Sequence, residues 1–353
     1  MADPLRRLLV LLETEAACRQ RMVERGYPAD VAAEIAFYLA QASDFLDAVE
    51  PLRRRLAADG VELAVASIDD RDRWLPLLAG PERRGTLAWN LTDGFARYRG
   101  SFAASVAALL DVPTLGSPPA AQHFCQDKLR CLAFASAIGL ATPPTVLVED
   151  GEPLSPPAVL DGHGLLFVKP NTLGAKLGID EASRAENLAA ALAASRRIWR
   201  RYRDRALIQP YLPGRDVRVS FMDLGGEAAP VGLYIVTAGE HGFATLADSR
   251  RITAMRAADG RSVALESIGG TPAGQRIEMA ARHLARVAGL RHYWSMDFRL
   301  GEDGTAWFLE FEVCPAVTIY DFLTYLHEGH GQDLPGAISL AAKAAWTRAS
   351  PPG

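Results

Sequence analysis

The most constraining stretch of this 353-residue chain runs from Tyr293 to Pro315. Tyr293-Trp294-Ser295-Met296-Asp297-Phe298-Arg299-Leu300 leads into Gly301-Glu302-Asp303-Gly304. Then comes Thr305-Ala306-Trp307-Phe308-Leu309-Glu310-Phe311-Glu312-Val313-Cys314-Pro315. Two aromatic and aliphatic runs about a Gly/Asp turn predict a β-hairpin. Side chains alternate along a strand, so Glu310 and Glu312 share a face. A register set by the four turn residues puts Asp297 opposite Phe308, on that same face and diagonal to Glu310. A slip of one residue would carry Asp297 to the other face. Like charges gathered on a half-buried sheet repel unless a cation neutralises them. Hard oxygen ligands suit magnesium, usually bridged to the phosphates of a nucleotide. The plainer alternative is a solvated strand with scattered acids, but the flanking residues are too apolar for one.

The length allows two or three domains with a sizeable core. A hydrophobic content of 49% is ordinary for a soluble globular protein, and a net charge of -4 offers nucleic acid no electrostatic attraction. Cys18, Cys125, Cys131 and Cys314 have neither metal-ligand spacing nor a disulfide pattern, which fits a reducing cytoplasm. The apolar run Leu8–Leu12 is too short for a signal peptide or a membrane span.

In chain order, Leu8–Leu12, Val61–Ala66 and Thr86–Leu91 read as strands, with a helical region between about Pro28 and Asp59 broken at Pro51. The alternation predicts a parallel sheet. Thr92-Asp93-Gly94 ends the third strand, where open α/β sheets bind ligands. Arg97 and Arg99 follow, either as a clamp for a substrate carboxylate or as a solvated loop. Asp127 to Ile138 reads as a helix with Lys128 in its first turn, unfavourable to the helix dipole. Leu165–Pro170 is a strand carrying Lys169, leading into a Gly174/Gly178 flap, a tight hairpin with backbone N–H groups suited to phosphates. Ser183-x-x-Glu186 reads as a capping box for a helix to about Asp204. The strand Ala206–Gln209 runs into Pro210-Tyr211-Leu212-Pro213-Gly214-Arg215-Asp216, a stiff connector ending in an acid. Its backbone would suit adenine and its carboxylate ribose hydroxyls. Val217–Met222 starts the next strand, Val231–Thr237 pairs with it or with a neighbour, and Gly239–Gly270 reads as a lid. Thr271-Pro272 starts a helix to Gly289, and a last helix lies near Leu334–Ala349. His327-x-x-His330 lacks a third ligand and reads as surface.

Several of these motifs fall in a familiar order: Asp127-Lys128, Val168-Lys169-Pro170 with its flap, Leu207–Asp216, then Asp297 and Glu310-x-Glu312-x-x-Pro315. They resemble the ATP-grasp superfamily, and within it the D-alanine–D-alanine ligases, over roughly Trp89 to Asp321. The resemblance implies an α/β and α+β fold. An N-terminal parallel α/β domain (1–122) would precede two lobes enclosing ATP, a central one (123–212) and a C-terminal one with the metal site (213–353). It implies that Lys128 and Lys169 hold phosphates, Gln209, Tyr211 and Leu212 contact adenine, and Asp216 holds the ribose. Asp297, Glu310 and Glu312 would bind Mg2+, or Mn2+ in its place.

The chain departs from the ligase pattern at the amino-acid positions. Glu13-Thr14-Glu15 replaces a glycine loop with its glutamate, Arg97-Tyr98-Arg99 an acidic loop, Ser295 an arginine, Asp321 a serine, and Ala175-Lys176 paired serines. The implied activity is an ADP-forming carboxylate–amine ligase acting through an acyl phosphate, on substrates other than two D-alanines. Arg218, Arg250, Arg251 and Lys176 are the candidate catalytic side chains, and Asp93, Arg97, Arg99, Ser295 and Asp321 the candidate substrate contacts. The expected partners are a small carboxylate and a small amine, with no nucleic acid or membrane, in a cytoplasmic protein that the resemblance makes a homodimer. A phosphotransferase on the same lobes and a non-catalytic ATP-binding module are the alternatives.

Overall fold

The computed structural model describes residues 4–39, 44–236, 242–243, 245, 266–317 and 326–349. Its N-terminal sheet holds β1 (Arg7–Leu12), β2 (Glu62–Ser67), β3 (Thr86–Asn90) and β4 (Thr114–Leu115), all parallel, in the order β2-β1-β3-β4. Leu8, Leu9, Val10 and Leu11 of β1 are wholly buried. A strand covered on both faces needs such a continuous apolar run rather than an alternating one.

A second, antiparallel sheet holds β5 (Val146–Glu149), β6 (Glu152–Pro153), β7 (Leu166–Pro170), β8 (Arg184–Ala185) and β9 (Ala206–Pro210), ordered β6-β5-β9-β7-β8. The third holds β10 (Arg215–Asp223), β11 (Ala228–Val236), β12 (Glu266–Ser267), β13 (Tyr293–Leu300) and β14 (Ala306–Glu312), ordered β12-β11-β10-β13-β14. The mixed α/β and α+β architecture expected from the sequence is the one observed.

Helices tie these layers together. Lys128–Ala137 lies in sequence beside the second sheet, yet its Cys131, Leu132 and Ala135 join the core of the third, with Phe308 and Phe311 of β14. The last helix, Leu334–Ala349, returns to the N-terminal sheet. Its Ala337, Ile338, Ala341 and Ala342 share one core with Leu8 and Val10 of β1 and with Leu52 and Leu56.

Three local expectations are corrected. Pro51 does not break a helix: it lies in the first turn of Val49–Ala57, where its missing N–H leaves no bond unmade. The cap of the helix Leu188–Tyr202 is Asn187, whose side chain accepts from the Ala190 N–H, while Ser183 pairs with Asp180 in a separate capping box on a single 3-10 turn. The flap 171–179 is a run of turns rather than a hairpin, with Ala175 and Lys176 both left-handed at φ 49° and 61°. The helix Glu15–Glu24, capped by Thr14, was not anticipated. Thr271 and Gly289 cap Pro272–Ala288 as expected. Most of the anticipated lid, with Arg250 and Arg251, and the residue Asp321 lie outside the described residues.

Candidate active site

The acid-bearing hairpin forms in a register other than the anticipated one. Leu300 pairs with Ala306, so the turn holds five residues instead of four. Carried on regularly, that register would set Asp297 opposite Leu309 and away from the acids. A bulge intervenes: Phe298 pairs with Phe308, the next pair is Asp297 with Glu310, and Leu309 is the extra residue. Phe298 and Phe308 meet edge to face in the core, with centroids 5.7 Å apart. Asp297 thus faces Glu310 directly rather than Phe308, and Ser295 faces Glu312.

Arg218 of β10 is the cross-strand partner of Asp297 on its other side. Its guanidinium reaches Glu312 at 2.6 Å, the Ser295 hydroxyl at 2.7 Å and Asp297 at 3.4 Å. Ser295, fully buried, also donates to Glu312 at 3.2 Å. Burial raises the pKa of Asp297; Arg218 opposes that, and Glu312 and Glu310 add to it.

Two lysines arrive from outside the hairpin. Asp127 caps the helix that starts at Lys128, and Asn171 at the end of β7 fastens the same helix end. Its backbone oxygen accepts from the Lys128 N–H, and its side chain accepts from the Leu129 N–H and donates to Asp127. The Lys128 ammonium then lies 3.0 Å from Glu310 and 2.7 Å from the Leu173 carbonyl oxygen. Burial works against ionising Glu310, but Lys128 and Lys169 outweigh it and its pKa is lowered. Lys169 is held down to about 8 by burial, with Glu310 pulling it up and Lys128 pushing it down.

On the anticipated adenine side, the Tyr211 N–H donates to the Leu165 carbonyl and the Gln209 amide donates to Thr145 at 2.8 Å. The Tyr211 ring packs near Phe167 and Phe243, with Arg184 over it. Arg299 was missed in the sequence. It pairs with Asp216 at 2.9 Å and donates to the Leu212 carbonyl, so it joins two anticipated nucleotide contacts. Asp216 and Arg299 are register partners on β10 and β13, a relation no local motif reveals.

The N-terminal sheet contributes Asp93, buried at the end of β3, which accepts from the Tyr38 hydroxyl and the Gln126 amide. Burial, then the charge of Glu312, pushes its pKa up to about 6. A pocket between this sheet and the third is lined by Tyr38, Phe45, Leu91, Glu312 and Cys314. Arg97 points elsewhere: it donates to Thr172 and to the Tyr202 and Arg203 carbonyls, and faces Asp204 at 3.8 Å. Arg99 pairs with Asp69 at 2.7 Å, and its N–H donates to Glu13. Both arginines are engaged with the protein rather than opening a carboxylate clamp.

Among the described residues, no three His, Cys, Asp or Glu side chains close on a common point as a cage for a metal ion. The three acids share the site, but Glu310 turns to Lys128 and Glu312 to Arg218. The pair Asp297 and Glu310 still fits magnesium, which takes one or two carboxylates and completes its shell with water and phosphate oxygens. His330 bonds to the Pro230 carbonyl. No helix among the described residues is long and apolar enough to cross a membrane.

No family model matches the chain. Curated relatives do. A D-alanine–D-alanine ligase of Synechococcus sp. (strain JA-3-3Ab) is 28% identical over 219 residues, 59% of this chain and 61% of that protein. One from Magnetococcus marinus is 26% identical over 217 residues, 59% of this chain and 64% of that protein. The matched stretch thus spans less than two thirds of either relative's length. Among solved structures, the D-alanine–D-alanine ligase of Bacillus anthracis complexed with ATP superposes with a TM-score of 0.66 at 14% identity, over 98% of both chains. The chain shares the fold of a D-alanine–D-alanine ligase and is similar to such ligases in sequence over part of their length.

Proposed function

We propose that the protein is an ATP-dependent, ADP-forming ligase that joins a small carboxylate to a small amine. The observation that carries this is the contact between Lys128 and Glu310. It brings a phosphate-type lysine, held at the end of β7, onto the acid pair of the third sheet. The proposed chemistry has two displacements. A carboxylate oxygen attacks the γ-phosphorus of ATP, the bond to the β–γ bridging oxygen breaks, and ADP leaves. The amine nitrogen then adds to the acyl carbon of the acyl phosphate, phosphate leaves with the electron pair, and the nitrogen sheds a proton. Such a site works by positioning and by neutralising charge. Lys128 and Lys169 would draw the phosphates in, Arg218 would face the transferring group, and Gln209, Tyr211 and Leu212 would take adenine. Asp297 and Glu310 would hold Mg2+, which screens charge on the phosphoryl oxygens.

The substrates we propose are not two D-alanines. Ser295 is fully buried and spent on Arg218 and Glu312, so it offers no counterpart to a guanidinium that would bind a substrate carboxylate. All four cysteines are buried and unpaired, which supports a reducing cytoplasm. A homodimer completes the proposal and is read by light scattering.

The test is ADP release from Mg2+-ATP with pooled carboxylates crossed against pooled amines, hydroxylamine included as a general acceptor. The expected outcome is turnover that needs both a carboxylate and an amine and is lost in Glu310→Ala. Turnover with a hydroxyl compound and no amine would replace the reading with a phosphotransferase.

A further inference from the structure

Among the described residues the buried acids are Glu13, Asp93, Asp204 and Asp223. Glu13 meets Arg21, Asp204 meets Arg97 and Asp223 meets Arg348. Asp93 meets no cation among the described residues: its partners are neutral donors, the Tyr38 hydroxyl at 3.0 Å, the Gln126 amide at 2.6 Å and the Cys125 thiol at 3.3 Å. A buried charge is ordinarily paired, so an unpaired one behind a pocket points to a cationic or N–H donor that arrives from outside. Tyr38 stands between that charge and the pocket. It closes the helix Ala29–Phe37, and its ring lies 4.7 Å from that of Tyr98. A methyl group on Gly174 of the flap would come within 2.8 Å of the Tyr38 ring, so only glycine lets the flap pack this closely. A phenol has one proton to give, and Tyr38 gives it to Asp93. Whatever else meets its oxygen must be a donor.

We infer that the pocket lined by Tyr38 takes the amine substrate, and that this substrate is a small primary amine with an apolar body and no carboxylate of its own. Tyr38 accepts a hydrogen bond from the amine nitrogen. Asp93 supplies the negative charge that draws the nitrogen in, and it keeps the Tyr38 proton turned away from it. The other walls are Phe45, Leu91, Val317, Cys314 and Glu312, with no Lys, Arg or His among the described lining residues. Apolar walls suit a carbon body, and a carboxylate would find an acid and no cation there. Glu312 adds little net charge, being paired with Arg218. The position also suits the reaction. The Leu173 carbonyl, one residue before Gly174, accepts from the Lys128 ammonium, so the flap that touches Tyr38 also touches the phosphate side of the site. The inference rests on the ligase reading for what becomes of the nitrogen, not for what the pocket binds.

The experiment is a ligand-observed NMR titration of the full chain with Mg2+-ADP present. Its probes share one side chain: isoamylamine, leucine, which adds a carboxylate, and isocaproate, which has the carboxylate without the amine. Isoamylamine should bind more than about tenfold more tightly than leucine, and isocaproate should not displace it. Tyr38→Phe keeps the ring between Tyr98 and the flap and should weaken isoamylamine about tenfold, with ADP affinity within about twofold. Asp93→Asn keeps an acceptor for Tyr38 and Gln126, which guards against misfolding. It should weaken the amine about tenfold and narrow its advantage over leucine, a shift that a merely structural role for Asp93 would not produce. The inference is overturned if leucine binds as tightly as isoamylamine, if isocaproate displaces the amine, or if Tyr38→Phe leaves amine affinity unchanged. Turnover tells its failure from that of the ligase reading. ADP release with hydroxylamine and pooled carboxylates supports a ligase, and Tyr38→Phe should then raise KM for isoamylamine about tenfold while KM for ATP holds. Amine selectivity without any such turnover would overturn the ligase reading and leave the pocket as an amine-binding site.

Discussion

Lys169 carries its ammonium on β7 with 6% exposure, and burial brings its pKa down to about 8 from 10.5. Below about 8 the folded protein bears the cost of a buried charge. Between about 8 and 10.5 the unfolded chain holds a proton that the native state lacks, so stability rises with pH through that window. Lys169→Met should therefore raise the Tm near pH 7, lose its advantage toward pH 10, and weaken ATP binding at both. A thermal melt series beside a nucleotide titration measures the trade. In the unaltered protein, ATP affinity should fall as pH passes about 8, and Lys169→Arg should flatten that fall. Lys128, Lys169 and the acids were legible because each sits in a short motif of fixed order. Asn171 and Arg299 were not, because their roles come from groups far along the chain: Asp127 and the helix end for one, Asp216 across a strand pair for the other. Lys176, a candidate catalytic side chain, stands on the left-handed flap at φ 61°.

Among the elements, the helix Lys128–Ala137 is the one on which stability and function meet. Its cap, Asp127, accepts from the Arg130 N–H at 3.1 Å and holds the Asn171 side chain. Asp127→Ala should cost about 1 kcal/mol in a urea titration and raise KM for ATP, because the first turn that aims Lys128 frays. Asp127→Asn, which keeps the cap, should keep most of both. Strands and caps of this kind were readable from periodicity and from Thr271, Pro272 and Gly289. The hairpin shows where such reading stops. Phe308, Glu310 and Glu312 alternate as if on one face, yet Phe308 belongs to the core and the acids to the site. Only the bulge at Leu309 satisfies both, and alternation alone cannot announce it. The Ser183 box failed for a different reason: two capping sequences lie four residues apart, and packing of the helix from Leu188 chooses the second.

At the scale of the whole molecule, the site exists only because three sheets and two crossing helices are locked in place. Arg97 is one lock, joining the loop after β3 to Thr172, Asp204 and the carbonyls that end the helix Leu188–Tyr202. Arg203, Tyr27 and Glu34 make further ties, between the stretch 25–34 and the end of that same helix. Arg97→Ala would leave Asp204 and two carbonyls buried without it, and should cost about 3 kcal/mol in a denaturation curve and open the second sheet to proteases. Arg97→Lys should recover little, since a single ammonium cannot reach all of these acceptors. The last helix has a consequence for how the chain comes to be. Its Ala337, Ile338, Ala341 and Ala342 complete the core against β1, which is made more than 300 residues before them. The sheet of β1 should wait, part covered, until residues 334–349 emerge. A chain stopped before Leu334 should therefore yield not a folded first half but one in which β1 and β2 are digested by protease, while a separately supplied 334–349 peptide should restore part of their protection. Folding of the sheet around β1 is thereby tied to a helix more than 300 residues further along the chain.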